Sequence, residues 1–286
     1  MSELKFNLLL DNISNQDNYK SIFNDDLNSI LGCKLCIPCT ENKPYILSCF
    51  ATSVDGRLCY PDATSGFTIA KFNNQATSME RYADWWNLSL GRAISDAVII
   101  GSNSILGEDG KYVASIDIVE LQNLRNSLNK PKDLLHIIIT RDANKINWQN
   151  EEVVKNPNIP LIIFSQKTPS NLPKGIILSS KFNPSLDKQA IIDDRLNLVM
   201  LIEDLYKYGV KTILNESPYY HHYLQENKLL DEAWLNTSGV YIGGNIVTLG
   251  SQNHPFTRLS HPHYSILTLH HVAHNFLYTR YKIFYS

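Results

Sequence analysis

Short apolar runs alternate along this chain with longer stretches in which apolar residues return every three or four positions. The first pattern reads as a strand buried on both faces, the second as a helix with one buried stripe. Residues 45–51 form the first run, bounded by Pro44 and by the turn pair Asp55-Gly56. A helix is predicted over 73–94, where Met79, Tyr82, Ala83, Trp86, Leu90 and Ile94 share a face. Residues 97–101 follow as a strand that closes on Gly101. A helix over 117–128, with Ile118, Leu121, Leu124 and Leu128 on one side, leads to strands at 134–139, 161–164 and 175–178. The stretch 195–208 is a helix stopped by Gly209, residues 210–214 are a strand, and Pro218 opens a helix where its missing N–H is harmless. Late strands are expected at 229–236 and within 266–285, the latter paired antiparallel. This alternation predicts an α/β fold with a mixed, mostly parallel central sheet and helices on both faces.

Residues 1–43 differ in texture. They are polar, rich in Asn and Asp, and carry one amphipathic stretch near Ile22 to Leu31. The expected organisation is an N-terminal extension, 1–43, followed by one domain, 44–286. A chain of 286 residues buries a core without disulfide or metal staples. Its formal charge of −2 offers no basic field for nucleic acid. No apolar run approaches the ~18 residues of a membrane span. The N-terminus lacks a basic segment followed by a long apolar one, and the five cysteines form no even framework. A cytoplasmic protein that contacts no membrane is expected.

In α/β sheets, ligands bind beyond the carboxyl ends of the strands. Three loops there are dense in small and hydrogen-bonding residues: 52–57 (Thr-Ser-Val-Asp-Gly-Arg), 101–104 (Gly-Ser-Asn-Ser) with Glu108-Asp109-Gly110 beyond it, and 215–218 (Asn-Glu-Ser-Pro). Singly, each is ordinary turn chemistry. In series, each after a buried strand, they predict a polar site for a phosphate-bearing ligand.

These segments also carry a resemblance. Residues 44–57 look like the first strand and Ser-x-Asp-Gly-Lys/Arg motif of the reductase domain of riboflavin-biosynthesis enzymes, a branch of the dihydrofolate-reductase-like superfamily. Arg92 through Gly101 to Ser104 is similar to its second motif, with Ser104 for Thr. Glu216-Ser217-Pro218 followed by Leu229-Leu230-Asp231-Glu232 resembles its Glu-Gly-Gly-Pro…Leu-(apolar)-Asp-Glu signature. The resemblance covers 44–286. It implies an NADPH-dependent reductase acting on an aminouracil ribosylamine phosphate or a related heterocycle, and a homodimer. It implies NADPH contacts at Thr52, Phe67, Gly101, Ser104, Glu108, Ser217, Pro218 and Tyr219. Substrate contacts are implied at Ser65, Arg92, Tyr112 and Glu216, with Glu216 and Asp55 as catalytic candidates and Arg92 as the partner of a phosphate. The sequence departs from the family in three places. Ser217 alone stands for two glycines, no Arg follows Glu108-Asp109, and an aromatic insertion (Tyr82, Trp85, Trp86) follows Asp62. A homologue that binds without turnover, or a pterin or dihydrofolate reductase, is the alternative.

Other signals point to bland roles. Cys33, Cys36 and Cys39 have a metal-ligand spacing but no second pair or histidine partners, so buried free thiols and no metal are expected. The deaminase motif that often accompanies this family is missing. His270 and His274 fall in a strand pattern that separates them, and His221-His222 is expected as a surface pair. The glycine-rich 239–244 reads as a turn between late strands, and Trp85-Trp86 as core or dimer surface.

Overall fold

The computed structural model of the chain describes residues 4–13, 19–22, 24–39, 41–107, 111–250 and 254–285. In chain order the elements are β1 (Asn7–Asp11), β2 (Tyr19–Ser21), α1 (Asp25–Leu31), β3 (Cys36–Pro38), β4 (Tyr45–Ser53), α2 (Thr68–Lys71), α3 (Ser78–Ile94), β5 (Ala97–Gly101) and α4 (Ser102–Gly107). Then come α5 (Val119–Ser127), β6 (Leu135–Asp142), α6 (Glu152–Lys155), β7 (Leu161–Lys167), β8 (Ile177–Ser179), β9 (Lys188–Ile192), α7 (Leu198–Lys207), β10 (Thr212–Asn215), α8 (Pro218–Glu226), β11 (Glu232–Ser238), β12 (Pro262–His271) and β13 (Phe276–Tyr285).

Among the described residues, eleven strands form one sheet in the order β1-β12-β13-β11-β4-β10-β5-β6-β7-β9-β8. Every pairing from β11 to β8 is parallel, and β13, β12 and β1 add an antiparallel end. The sheet is therefore mixed and mostly parallel, as the strand–helix alternation predicts.

Two cores sandwich it, and strand alternation divides residues between them. Tyr45, Leu47 and Cys49 of β4, Val98 and Ile100 of β5, and Leu161 and Ile163 of β7 face the side covered by α1, α3 and α5. Ile46, Ile99, Ile162 and Phe164 face the other side, which is covered by α7 and α8 through Leu201, Ile202, Leu205 and Leu224. Continuous apolar runs result because both faces are dry.

Local chemistry sets the ends of α3, the helix that carries much of the site. Thr77 and Glu80 form a reciprocal capping box at its start. This is why the helix begins at Ser78 rather than at residue 73. At its other end the buried Arg125 donates to the carbonyls of Arg92, Ala93 and Ser95, at 3.1, 3.3 and 2.6 Å. These bonds gather carbonyls at the helix end, where intrahelical donors run out, so Arg125 fixes the turn from α3 into β5.

Four features differ from the sequence expectation. The described part of residues 1–43 packs on the sheet and adds a strand to it: β1 is the antiparallel edge, Asn7 opposite His271. The Phe6 ring lies 5.5 Å from Trp86 and 5.1 Å from Tyr278, and Leu27 and Leu35 are buried. The buried residues there are few and widely spaced, so the polar majority masked them. The predicted strand at 175–178 is the short edge strand β8, and β9, with a single apolar run of three residues, escaped prediction. His221 and His222 are not a surface pair. Both are buried, because the chain after β11 returns over α8. His221 Nε2 lies 3.2 Å from the Tyr264 hydroxyl, and His222 Nε2 lies 3.0 Å from the His254 carbonyl. Finally, residues 239–244 are part of a long connection to β12 rather than a tight turn.

Cys33, Cys36, Cys39, Cys49 and Cys59 are free thiols. Among the described residues no group of three or more His, Cys, Asp or Glu is arranged to hold a metal ion. Among them, no helix is long and apolar enough to cross a membrane.

Candidate active site

The carboxyl ends of β4, β5, β6, β7 and β10 open onto a cleft of about 980 Å³. That is ample for a dinucleotide fragment and a small substrate together, at the upper end of ligand-pocket sizes. Of the residues expected to form a site, Ser65, Phe67, Gly101, Ser104, Tyr112, Glu216, Ser217, Pro218 and Tyr219 all line it. Thr52 and Asp55 do not. Arg92 sits behind Glu216, and Glu108, with Asp109 and Gly110, lies outside the described residues.

At the centre is a buried charge cluster. Arg92, on the last turn of α3, is 1% exposed and grips Glu216, just past β10, with two parallel bonds: Nε to Oε1 at 2.7 Å and an Nη to Oε2 at 2.8 Å. The Tyr112 hydroxyl donates to the same Oε2 at 2.5 Å. Burial alone raises the Glu216 carboxyl. The Arg92 charge and the bonds from Arg92 and Tyr112 outweigh it, and hold the group ionised below the usual carboxylate range. Burial pushes the Tyr112 phenol well above its ordinary value, so it keeps its proton.

The loop bearing Tyr112 is tied down on both sides. Arg92 Nη1 donates to the Ser115 carbonyl at 3.1 Å, and the Ala114 N–H donates to His136 Nε2 at 3.0 Å. His136 Nδ1, 2.9 Å from the Leu134 carbonyl, is then the protonated nitrogen. Burial lowers this imidazole to about 4, so it is neutral and serves as a bracket. Arg92 therefore does not await a substrate phosphate. Its guanidinium is occupied by Glu216 and Ser115, and its role is to orient the carboxylate.

The second wall is a close approach of two strand ends. A Cβ on Gly101 would come within 2.8 Å of Ser217 Oγ, so a side chain there would displace the Ser217 hydroxyl from its place between the β5 and β10 loops. Ser217 is the N-cap of α8, with Pro218 inside the first turn, yet its hydroxyl makes no capping bond. That hydroxyl borders the cleft beside a helix N-terminus, whose first N–H groups have no intrahelical acceptors.

Asp55 has a different task. Its carboxylate accepts from the Ser53 hydroxyl at 2.6 Å, from the Ile242 and Gly243 N–H groups at 3.2 and 2.8 Å, and from Arg57 Nε at 3.4 Å. The Ser53 hydroxyl, then the backbone donors, depress its pKa. Asp55 pins the turn after β4 to the connection after β11, and both its oxygens are engaged there. Thr52 is buried in β4, 4% exposed.

Sequence reasoning missed a second carboxyl. Asp84 of α3 lines the cleft and is 7% exposed. Its Oδ1 accepts from Asn236 Nδ2 at 2.7 Å, and Asn236 Oδ1 accepts from Asn87 Nδ2 at 2.7 Å. Burial raises Asp84 to about 6, against a lowering by the Asn236 bond. The available signal was polar residues three apart, Asp84 and Asn87, inside the apolar stripe of α3. A raised folded-state pKa contributes stability at low pH, and that contribution is lost as pH rises through about 6. Asp84→Asn is therefore expected to raise the Tm at pH 8 while changing it little at pH 4. Equal Tm changes at the two pH values would contradict this.

Arg141, Gln166 and Arg195, which also escaped notice, reach the cleft from the ends of β6, β7 and β9.

No family model matches the sequence, and no curated protein matches it significantly. Solved structures do match. The RibD protein of Acinetobacter baumannii superposes with a TM-score of 0.59 at 15% identity, over 85% of this chain and 59% of that one. A pyrimidine reductase-like protein of Corynebacterium diphtheriae gives 0.58 at 13%, over 85% and 93%. A diaminohydroxyphosphoribosylaminopyrimidine deaminase/5-amino-6-(5-phosphoribosylamino)uracil reductase of Thermotoga maritima gives 0.57 at 12%, over 84% and 56%. The chain thus spans little more than half the length of the two-activity protein and of RibD. At these identities the likeness is one of fold, and the chain has the dihydrofolate-reductase-like fold found in the pyrimidine reductases of riboflavin biosynthesis.

Proposed function

We propose that this protein is an NADPH-dependent reductase of a pyrimidine ribosylamine or a related heterocycle. One observation carries the reading. A cleft of about 980 Å³ joins an open helix N-terminus at Ser217 to a buried, ionised carboxylate at Glu216. The first suits a diphosphate and the second a substrate with N–H or O–H donors.

The cleft fits the cofactor. Ser217 and the first turn of α8 offer donors for the diphosphate, and Gly101 leaves room because it carries no Cβ. Arg141 and Arg195 supply positive charge at another part of the wall, suited to a further phosphate. When bound, the reduced nicotinamide supplies hydride. The protein supplies position: Arg92 and Tyr112 hold Glu216 rigid and charged, so that it orients the substrate without reorganising. The single Ser217, where the family carries two glycines, leaves the cleft open.

Calorimetric titration tests the reading. NADPH is expected to bind the wild type. Ser217→Asp, which puts a negative charge at the helix N-terminus, is expected to weaken it at least about tenfold. Arg141→Ala is expected to weaken NADPH more than NADH. Failure of both nucleotides to bind at millimolar concentration would sink the proposal.

A further inference from the structure

The geometry points to Asp84 as the proton donor of the cleft: it protonates the nitrogen or oxygen of a substrate C=N or C=O group as the carbon receives hydride from a reduced nicotinamide. This rests on the reductase reading above and supplies the proton that reading leaves unassigned.

Hydride addition to such a group forms a C–H bond and breaks the π bond. The electron pair moves to the heteroatom, which must then take a proton. The substrate gains two electrons and the nicotinamide loses two. The groups gathered around Glu216 have no proton to give. Glu216 is held ionised, with both oxygens engaged by Arg92 and Tyr112. The Tyr112 proton is committed to Glu216. His136 has both nitrogens engaged, and burial raises the Cys49 thiol well above its ordinary range.

Asp84 differs from all of these. The Asn87–Asn236 relay ends on its Oδ1 as a donor, so Oδ1 is the accepting oxygen. Oδ2 then carries the proton when the group is neutral. It has no hydrogen-bond partner among the described residues and is not sealed from solvent, and the residue lines the cleft. The ionisable groups facing it are Cys49 from β4 and Tyr278 from β13, whose hydroxyl is spent on the Glu80 carbonyl. Glu80 lies one turn earlier on α3, and Arg92, two turns on, is neutralised by Glu216. Among the described residues no cation holds Asp84 ionised, and burial places it near 6. Two carboxyls in one cleft are thus driven apart, one held charged and one that keeps its proton up to about pH 6, which is how acid and base roles are divided in active sites. After transfer, Asp84 is a carboxylate and recovers its proton from solvent.

The test is NADPH oxidation by the wild type and by Asp84→Asn, with 5-amino-6-(5-phosphoribosylamino)uracil and with dihydrofolate as probes. Asparagine keeps the bond from Asn236 but has no proton to transfer. A kcat loss of about 100-fold or more is expected. The wild-type kcat should also fall as pH rises above about 6, and the variant should lose that dependence. NADPH affinity should stay within about twofold of wild type, and thermal unfolding reports that the variant is folded. An active wild type matched by Asp84→Asn in kcat, or sharing its pH profile, removes the donor and leaves the reductase reading standing. A wild type inactive toward both probes removes both.

Discussion

Arg92→Leu is expected to destabilise the protein by about 3–5 kcal/mol, the usual cost of stranding one charge of a buried pair. Glu216 would lose the two bonds at 2.7 and 2.8 Å that offset its desolvation, in a site where the arginine is 1% exposed. The sign of its pH dependence follows. Glu216 is depressed in the folded state, so its contribution is present above the ordinary carboxylate pKa and is lost as pH falls through the folded value. Arg92→Leu should therefore approach wild type in strong acid and differ most at neutral pH. The double variant Arg92→Leu/Glu216→Gln, with no charge left to strand, should recover at least half of the loss. Urea denaturation of the four proteins measures the coupling. Near-additive losses would mean that the pair does not act as a unit.

Removing residues 1–43 is expected to abolish cooperative folding. That segment buries Leu4, Phe6, Ile13, Leu27, Leu31 and Leu35. Roughly 1.5–3 kcal/mol for each large apolar side chain sums to an amount comparable with the whole stability of a domain. The deletion also strips Tyr19 from the buried Glu232, which it contacts at 2.5 Å, and the Cys36 carbonyl from Arg280. A truncated chain beginning at residue 44 that gave a sharp unfolding transition within about 5 °C of the full chain would show that the segment is dispensable.

Those two experiments bear on what the sequence made legible. The parallel half of the sheet was readable because its strands are dry on both faces: Ala97 to Gly101 and Leu161 to Phe164 admit no other pattern. The cleft residues at Gly101, Ser104, Glu216 and Pro218 were readable because loops at strand ends concentrate small polar residues there. Partnership was not readable. Arg92 looked like a phosphate ligand, because nothing in its own segment shows that Glu216, 124 residues on, arrives beside it. Asp55 looked catalytic, because the backbone donors that occupy it come from Ile242 and Gly243. Asp84 was hidden by the opposite effect: the helix periodicity that identified α3 drew attention to its apolar positions. The N-terminal strand was missed because an edge strand needs few buried residues. In β1 none of the five is fully buried.

The pairing of β1 with β12 also sets a timetable. Asn7 faces His271 and Asp11 faces Thr268, so β1 docks against a strand made long after it. A ribosome-bound chain has no partner for that strand until β12 has emerged. Until then Phe6 lacks the Tyr278 ring and waits in water. Contacts of such sequence separation slow folding and lengthen the exposure of sticky intermediates. Emergence of β12 and β13, rather than of the parallel strands, is the event after which this end of the sheet can close.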